Sequence, residues 1–116
     1  PMVQAGERYD DPEMGSSVRV TLDAWSCGEG CKILLPQQCA AESQEKPGGC
    51  GEITLLYGSH SVAAVAVMES AHVVNFIPKR KMNREATGLQ YCFGDYPLMT
   101  VYNSYDVPLV PFTVVV

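Results

Sequence analysis

No run of this 116-residue chain approaches the ~20 consecutive apolar residues that a membrane-spanning helix requires, so no membrane span is expected. The first residues lack the basic-then-apolar pattern of a secretory leader. That leaves either an intracellular protein or one whose leader or flanking chain has been removed. There is no Asn-x-Ser/Thr glycosylation acceptor, no Gly-x-Gly-x-x-Gly and no P-loop. No closely spaced carboxylate pair suggests glycosidase chemistry, and no cofactor is implied. Histidine is limited to His60 and His72, and tryptophan to Trp25. Basic residues are also few: 8 against 13 acidic ones, for a net charge of −5. A chain so balanced is a poor match for nucleic acid as its main partner, since phosphate binding needs a basic face.

What is present suits a small β-rich domain. Hydrophobic residues make up 47% of the chain, enough for a real core. Residues 1–17 read as a polar arm with turn formers at Asp10-Asp11-Pro12 and Gly15-Ser16, and 18–116 as a single β-rich domain. From Val18 to Trp25 apolar and polar residues alternate, placing Val18, Val20, Leu22 and Ala24 on one face and Trp25 on the other. Glu52 to Tyr57 alternates in the same way. Ser61 to Met68, nearly all Ala and Val, fits either a buried strand or a short helix. Further runs at His72–Ile77, Leu89–Phe93, Leu98–Asn103 and Leu109–Val116 are rich in β-branched or aromatic residues and bounded by turn formers. The expected fold is therefore all-β: an antiparallel sandwich or jelly-roll-like barrel of seven or eight short strands. One long cysteine-bearing loop would join the early strands. The polar start and the Val-rich end suggest a module cut from a longer polypeptide.

Cys27, Cys31, Cys39 and Cys50 fall within 24 residues, and Cys92 stands apart among apolar and aromatic neighbours as a core thiol. The clustered four admit several readings. As a tetrahedral thiolate metal site they lack the paired Cys-x2-Cys turns of zinc knuckles, their gaps being three, seven and ten residues. As disulfides they allow three pairings and imply an oxidising setting, extracellular or on a virion surface. They also fit reduced, packed thiols.

Cys50 lies in Pro47-Gly48-Gly49-Cys50-Gly51, where flanking glycines permit a turn that exposes a nucleophile and points amides at an oxyanion. This stretch, followed by a strand, Gly58, His60 and an apolar strand, resembles the nucleophile loop of the chymotrypsin-like cysteine proteases of picornaviruses. The resemblance covers about 20 residues. It implies a cysteine hydrolase fragment with Cys50 as nucleophile. That family carries its general-base histidine and an acidic partner upstream of the nucleophile. No histidine precedes Cys50 here, so the base would have to be His60 or His72. A Gly-rich hairpin is the competing reading of the same residues.

Two features point to binding. Lys79, Arg80, Lys81 and Arg84 place half of all basic residues within six positions, as a solvated loop or as a docking patch for an anionic partner. The acidic Glu7, Asp10, Asp11 and Glu13 of a neighbouring copy would complement it. Tyr91, Tyr96, Tyr102 and Tyr105 crowd into 15 residues, which suits an interface or the face of an ordinary sheet. The expectation is a non-enzymatic protein-interaction or assembly module, such as a surface or capsid-type domain, with protein partners in a homo- or hetero-oligomer. Its candidate binding residues are Lys79, Arg80, Lys81, Arg84, Tyr91, Tyr96 and Tyr102. The alternative is the cysteine hydrolase fragment.

Overall fold

The computed structural model describes residues 2–33, 53–91, 101–105, 107, 109 and 112–116. Among them are nine strands: β1 (Val3–Asp11), β2 (Gly15–Leu22), β3 (Lys32–Ile33), β4 (Ile53–Tyr57), β5 (His60–Ser70), β6 (Val73–Pro78), β7 (Gly88–Tyr91), β8 (Val101–Tyr102) and β9 (Phe112–Val115). Seven form one antiparallel sheet in the order β1-β2-β6-β5-β4-β7-β9, and β3 pairs with β8 in a small second sheet. The all-β antiparallel expectation holds, and the large sheet is nearly closed into a barrel.

The alternation read from the sequence is what curls the sheet. Val18, Val20 and Leu22 of β2, Val74 and Phe76 of β6, and Ile53, Leu55 and Tyr57 of β4 all point inward and are buried. The Ala/Val-rich segment is strand β5, with Val62 and Ala64 buried and Val65 and Val67 on the outside. A period of two, and not 3.6, governs its burial, which excludes the helix. Phe76 meets Tyr91 and Phe112 edge-on at 6.1 and 6.5 Å, and Tyr91 stacks on Phe112 at 5.1 Å. Such contacts add to area burial. The Tyr91 hydroxyl accepts the Val101 N–H at 2.9 Å and so ties the barrel to β8.

Two sequence expectations need correction. The first concerns residues 3–17: the segment expected as a polar arm supplies all of β1 and the start of β2. Its residues are mostly exposed on both faces, so no alternation marks it. Backbone pairing and a turn hold it instead. The Asp11 carboxylate accepts the N–H groups of Glu13 and Met14, at 3.1 and 2.9 Å. The second is that β2 stops at Leu22. Ala24 and Trp25 belong to a turn and not to the strand.

Closure depends on a glycine. Gly6 pairs with Val20 and so shares its face, and a Cβ there would sit 2.6 Å from Val114 Cγ1 of β9. The two outermost strands approach because that Cβ is missing. Arg8, two residues on, reaches across to the Ala86 carbonyl and Glu85 carboxylate, each at 3.2 Å.

Candidate functional site

Strand directions divide the described barrel into two ends. The first holds the β1–β2 turn, the β4–β5 turn at Gly58-Ser59 and the β6–β7 connection, residues 79–87. The second holds the segment 23–31 after β2, the β5–β6 turn at Ala71-His72, and residues 103–105 after β8. The eight residues of β2 separate these ends by roughly 25 Å.

At the first end the 79–87 connection crosses the barrel mouth, fixed mainly through its backbone. Lys79 N–H donates to the Ala63 carbonyl (2.9 Å), Met82 N–H to Met14 (2.9 Å) and Thr87 N–H to Leu56 (2.7 Å). Ala86 N–H donates to the Ser16 hydroxyl at 2.9 Å. With the backbone so occupied, the side chains of Lys79, Arg80, Lys81 and Arg84 face outward, Lys79 half-buried and the rest exposed. None of the four makes an ion pair among the described residues. His60, Arg80, Lys81, Met82, Asn83 and Arg84 line one cleft of about 380 Å³. Ser61, Val62, Ala63, Lys79 and Arg80 line another of the same size. Arg80 is common to both. The acidic β1–β2 turn is held beside this loop within one chain, through the Met82–Met14 bond. Acidic arm and basic loop therefore already adjoin without a neighbouring copy.

At the second end a covalent clasp replaces the backbone lid. Cys27 and Cys31 form a disulfide, their Cα atoms 4.9 Å apart, and both are buried in the core. This answers the clustered-cysteine question for these two residues: their sulfurs are bonded to each other, so the four-thiolate metal site is not available. Cys39, Cys50 and Cys92 lie outside the described residues. No group of three or more potential metal ligands occurs among the described residues.

The clasped turn is knitted to the segment after β8. Ser104 N–H donates to the Cys27 carbonyl (3.2 Å), and Glu29 N–H to the Ser104 hydroxyl (2.9 Å). Asn103 is the organiser. Its amide nitrogen donates to the Ser26 carbonyl, and its amide oxygen accepts Tyr105 and Val107 N–H, both at 2.9 Å. Gly28 adopts a left-handed φ of 65°, and a Cβ there would lie 2.8 Å from the Tyr105 ring. Ala24, Trp25, Gly28, Glu29 and Tyr105 then line a cleft of about 600 Å³. Trp25 is 91% exposed and Tyr105 71%. Among the described residues Glu29 supplies the one carboxylate in the lining.

The other residues singled out from sequence are dispersed. Tyr91 is fully buried and offers a partner no surface, because its ring belongs to the aromatic core. Tyr102 is half-buried in β8, opposite Lys32, and Tyr96 lies outside the described residues. The basic loop and Tyr102 therefore sit at opposite ends. So do His60 and His72, separated by the eleven residues of β5 or roughly 35 Å of strand. One nucleophile could use only one of them, and Cys50 itself lies outside the described residues. The Trp25–Tyr105 cleft was missed. Alternation assigned Trp25 to a strand face, whereas the signal for a turn was the Asp23-x-x-Ser26-Cys27 spacing, whose Ser26 and Cys27 N–H groups both bond the Asp23 carbonyl.

A third polar cluster lies on the outer wall. Arg19 contacts Glu69 (2.9 Å), Asn75 (3.2 Å) and Glu7 (3.4 Å), and its guanidinium lies 4.4 Å over the Tyr9 ring. Burial, then the negative charge of Asp11, raises the Tyr9 pKa, and its buried hydroxyl finds no well-aligned partner. Arg19 is consumed in tying β1, β2, β6 and β5 together.

No protein-family model matches the chain, and no curated protein or solved structure matches it either.

Proposed function

We propose that this chain is a non-enzymatic protein-interaction module of the surface or assembly kind, docking a protein partner through the Trp25–Tyr105 cleft. The observation that carries the reading is a tryptophan 91% exposed on a turn held by a disulfide and by hydrogen bonds on both sides. Leaving a large ring in water gains nothing for folding. A ring on a rigid frame loses little entropy on binding, and exposed aromatics anchor interfaces. The cleft volume of about 600 Å³ admits one or two partner side chains, and Glu29 at its wall favours a partner with a donor or cation there.

A displayed library of random peptides, selected on the wild-type domain, is the test. Enriched peptides should shift the emission of Trp25 to the blue and bind Trp25→Ser at least tenfold more weakly. Selected peptides that bind Trp25→Ser as well as wild type would overturn the proposal.

A further inference from the structure

We infer that the barrel mouth opposite the aromatic cleft is a binding site for a sulfated polysaccharide, read by His60, Lys79, Arg80, Lys81 and Arg84. This stands on different residues from the proposed protein-docking cleft, so either can fail alone.

Three observations lead to it. Four cations make no ion pair among the described residues although the whole chain is acidic. Their backbone is fixed at Lys79, Met82, Ala86 and Thr87, so the charges stand on a built frame and not on a loose loop. Two adjoining clefts share Arg80 as a common wall, which makes a track from Lys79 to Arg84. A track suits a linear chain with repeated anionic groups better than a single small anion. Among the described residues no carboxylate lines either cleft. Of the nearby acids, Asp11 caps its own turn and Glu85 is paired with Arg8. Asp10 and Glu13 remain on the β1–β2 side and limit the reach of the patch.

The nature of the polyanion follows from what surrounds these cations. Among the described residues neither cleft is lined by Phe, Tyr or Trp, so these residues offer no platform on which nucleic-acid bases could stack. The Cys27–Cys31 disulfide belongs to oxidising surroundings, where sulfated glycans are the abundant polyanions. Arg guanidinium groups recognise sulfate as they do phosphate, by paired N–H donors, and a short Lys/Arg-rich run is a recognised basis for heparin binding.

Heparin oligosaccharides on a biosensor surface provide the probe, with desulfated heparin and a single-stranded DNA of matched charge as comparison arms. Wild type should bind heparin at physiological salt, with affinity falling steeply as salt rises. Arg80→Gln/Lys81→Gln/Arg84→Gln, altering only exposed side chains, should lose tenfold or more while keeping the native Tm. His60→Gln should lose severalfold, and desulfated heparin should not bind. Equal heparin binding by wild type and the triple variant, equal binding of desulfated heparin, or tighter binding of DNA than of heparin would each overturn the inference.

Discussion

The two ends of this barrel share one set of walls yet are finished by opposite means. The basic end is closed by a loop whose backbone donors do the fastening, which leaves its charged side chains free for contact. The aromatic end is fastened largely through side chains: Cys27, Cys31, Ser26, Asn103 and Ser104 are consumed in holding it. Among the described residues the side chains of Trp25, Tyr105 and Glu29 then remain to meet a ligand. The difference teaches that exposure means different things at the two ends. Exposed lysines and arginines are ordinary on a solvated loop, whereas a tryptophan held in water by a clasp is not.

The strongest perturbation should abolish the distinction between the ends. Phe76 links both halves of the aromatic core, and Phe76→Ala is expected to cost about 3–5 kcal/mol, measured by denaturant unfolding, with both ends losing hydrogen-exchange protection together.

Next come changes confined to one end. At the basic end, the buried Tyr57 hydroxyl donates to the Ser16 carbonyl at 2.6 Å, so Tyr57→Phe should cost about 1–3 kcal/mol. Burial raises the Tyr57 pKa from 10.0 to about 12. The neutral phenol is therefore favoured in the folded state, while the unfolded chain ionises first. Its stabilising contribution is complete below pH 10 and is lost as the pH rises towards about 12. The slope should reach about 1.4 kcal/mol per pH unit, and Tyr57→Phe should flatten it in alkaline unfolding curves.

At the aromatic end, Cys27→Ala/Cys31→Ala opens a loop of five residues, worth about 2 kcal/mol in the loop-entropy estimate. Hydrogen exchange should rise in 23–31 and 103–105 and stay unchanged in 79–87. The smallest effect on stability belongs to the contact residues themselves: Trp25→Ser and Arg80→Gln should each stay within about 0.5 kcal/mol of wild type, checked by thermal unfolding.

Much of the barrel was legible in the sequence, because a period of two is a direct imprint of one buried face. β2 and β4 follow from it, β6 and β7 from β-branched and aromatic runs bounded by turn formers, while the Ala/Val content of β5 fitted strand and helix alike. β1 was not legible, since an edge strand exposed on both faces carries no alternation and is held by backbone bonds that any residue can make. At the candidate sites the basic loop was visible as a run of charge, and its fixed backbone was not. His60 joins that loop only through a hairpin that returns β5 beside β6. The aromatic cleft was least legible. Trp25 and Tyr105 are 80 positions apart in sequence, and it takes Asn103 and Ser104, bonded across the chain, to bring them to one cleft. Tyr91 illustrates the converse: a tyrosine among tyrosines, chosen for its polar tip, spends that tip on the Val101 amide inside the core.

Because Trp25 is the single tryptophan, its fluorescence reports on the proposed docking cleft and nothing else. Acrylamide quenching and emission should be compared between the native protein and the guanidinium-unfolded chain. A fixed, water-exposed Trp25 requires the native protein to emit at nearly the unfolded wavelength and to be quenched nearly as efficiently, yet with clearly higher anisotropy. A blue-shifted native emission that acrylamide barely reaches would contradict it, since the ring would then be buried and the cleft closed.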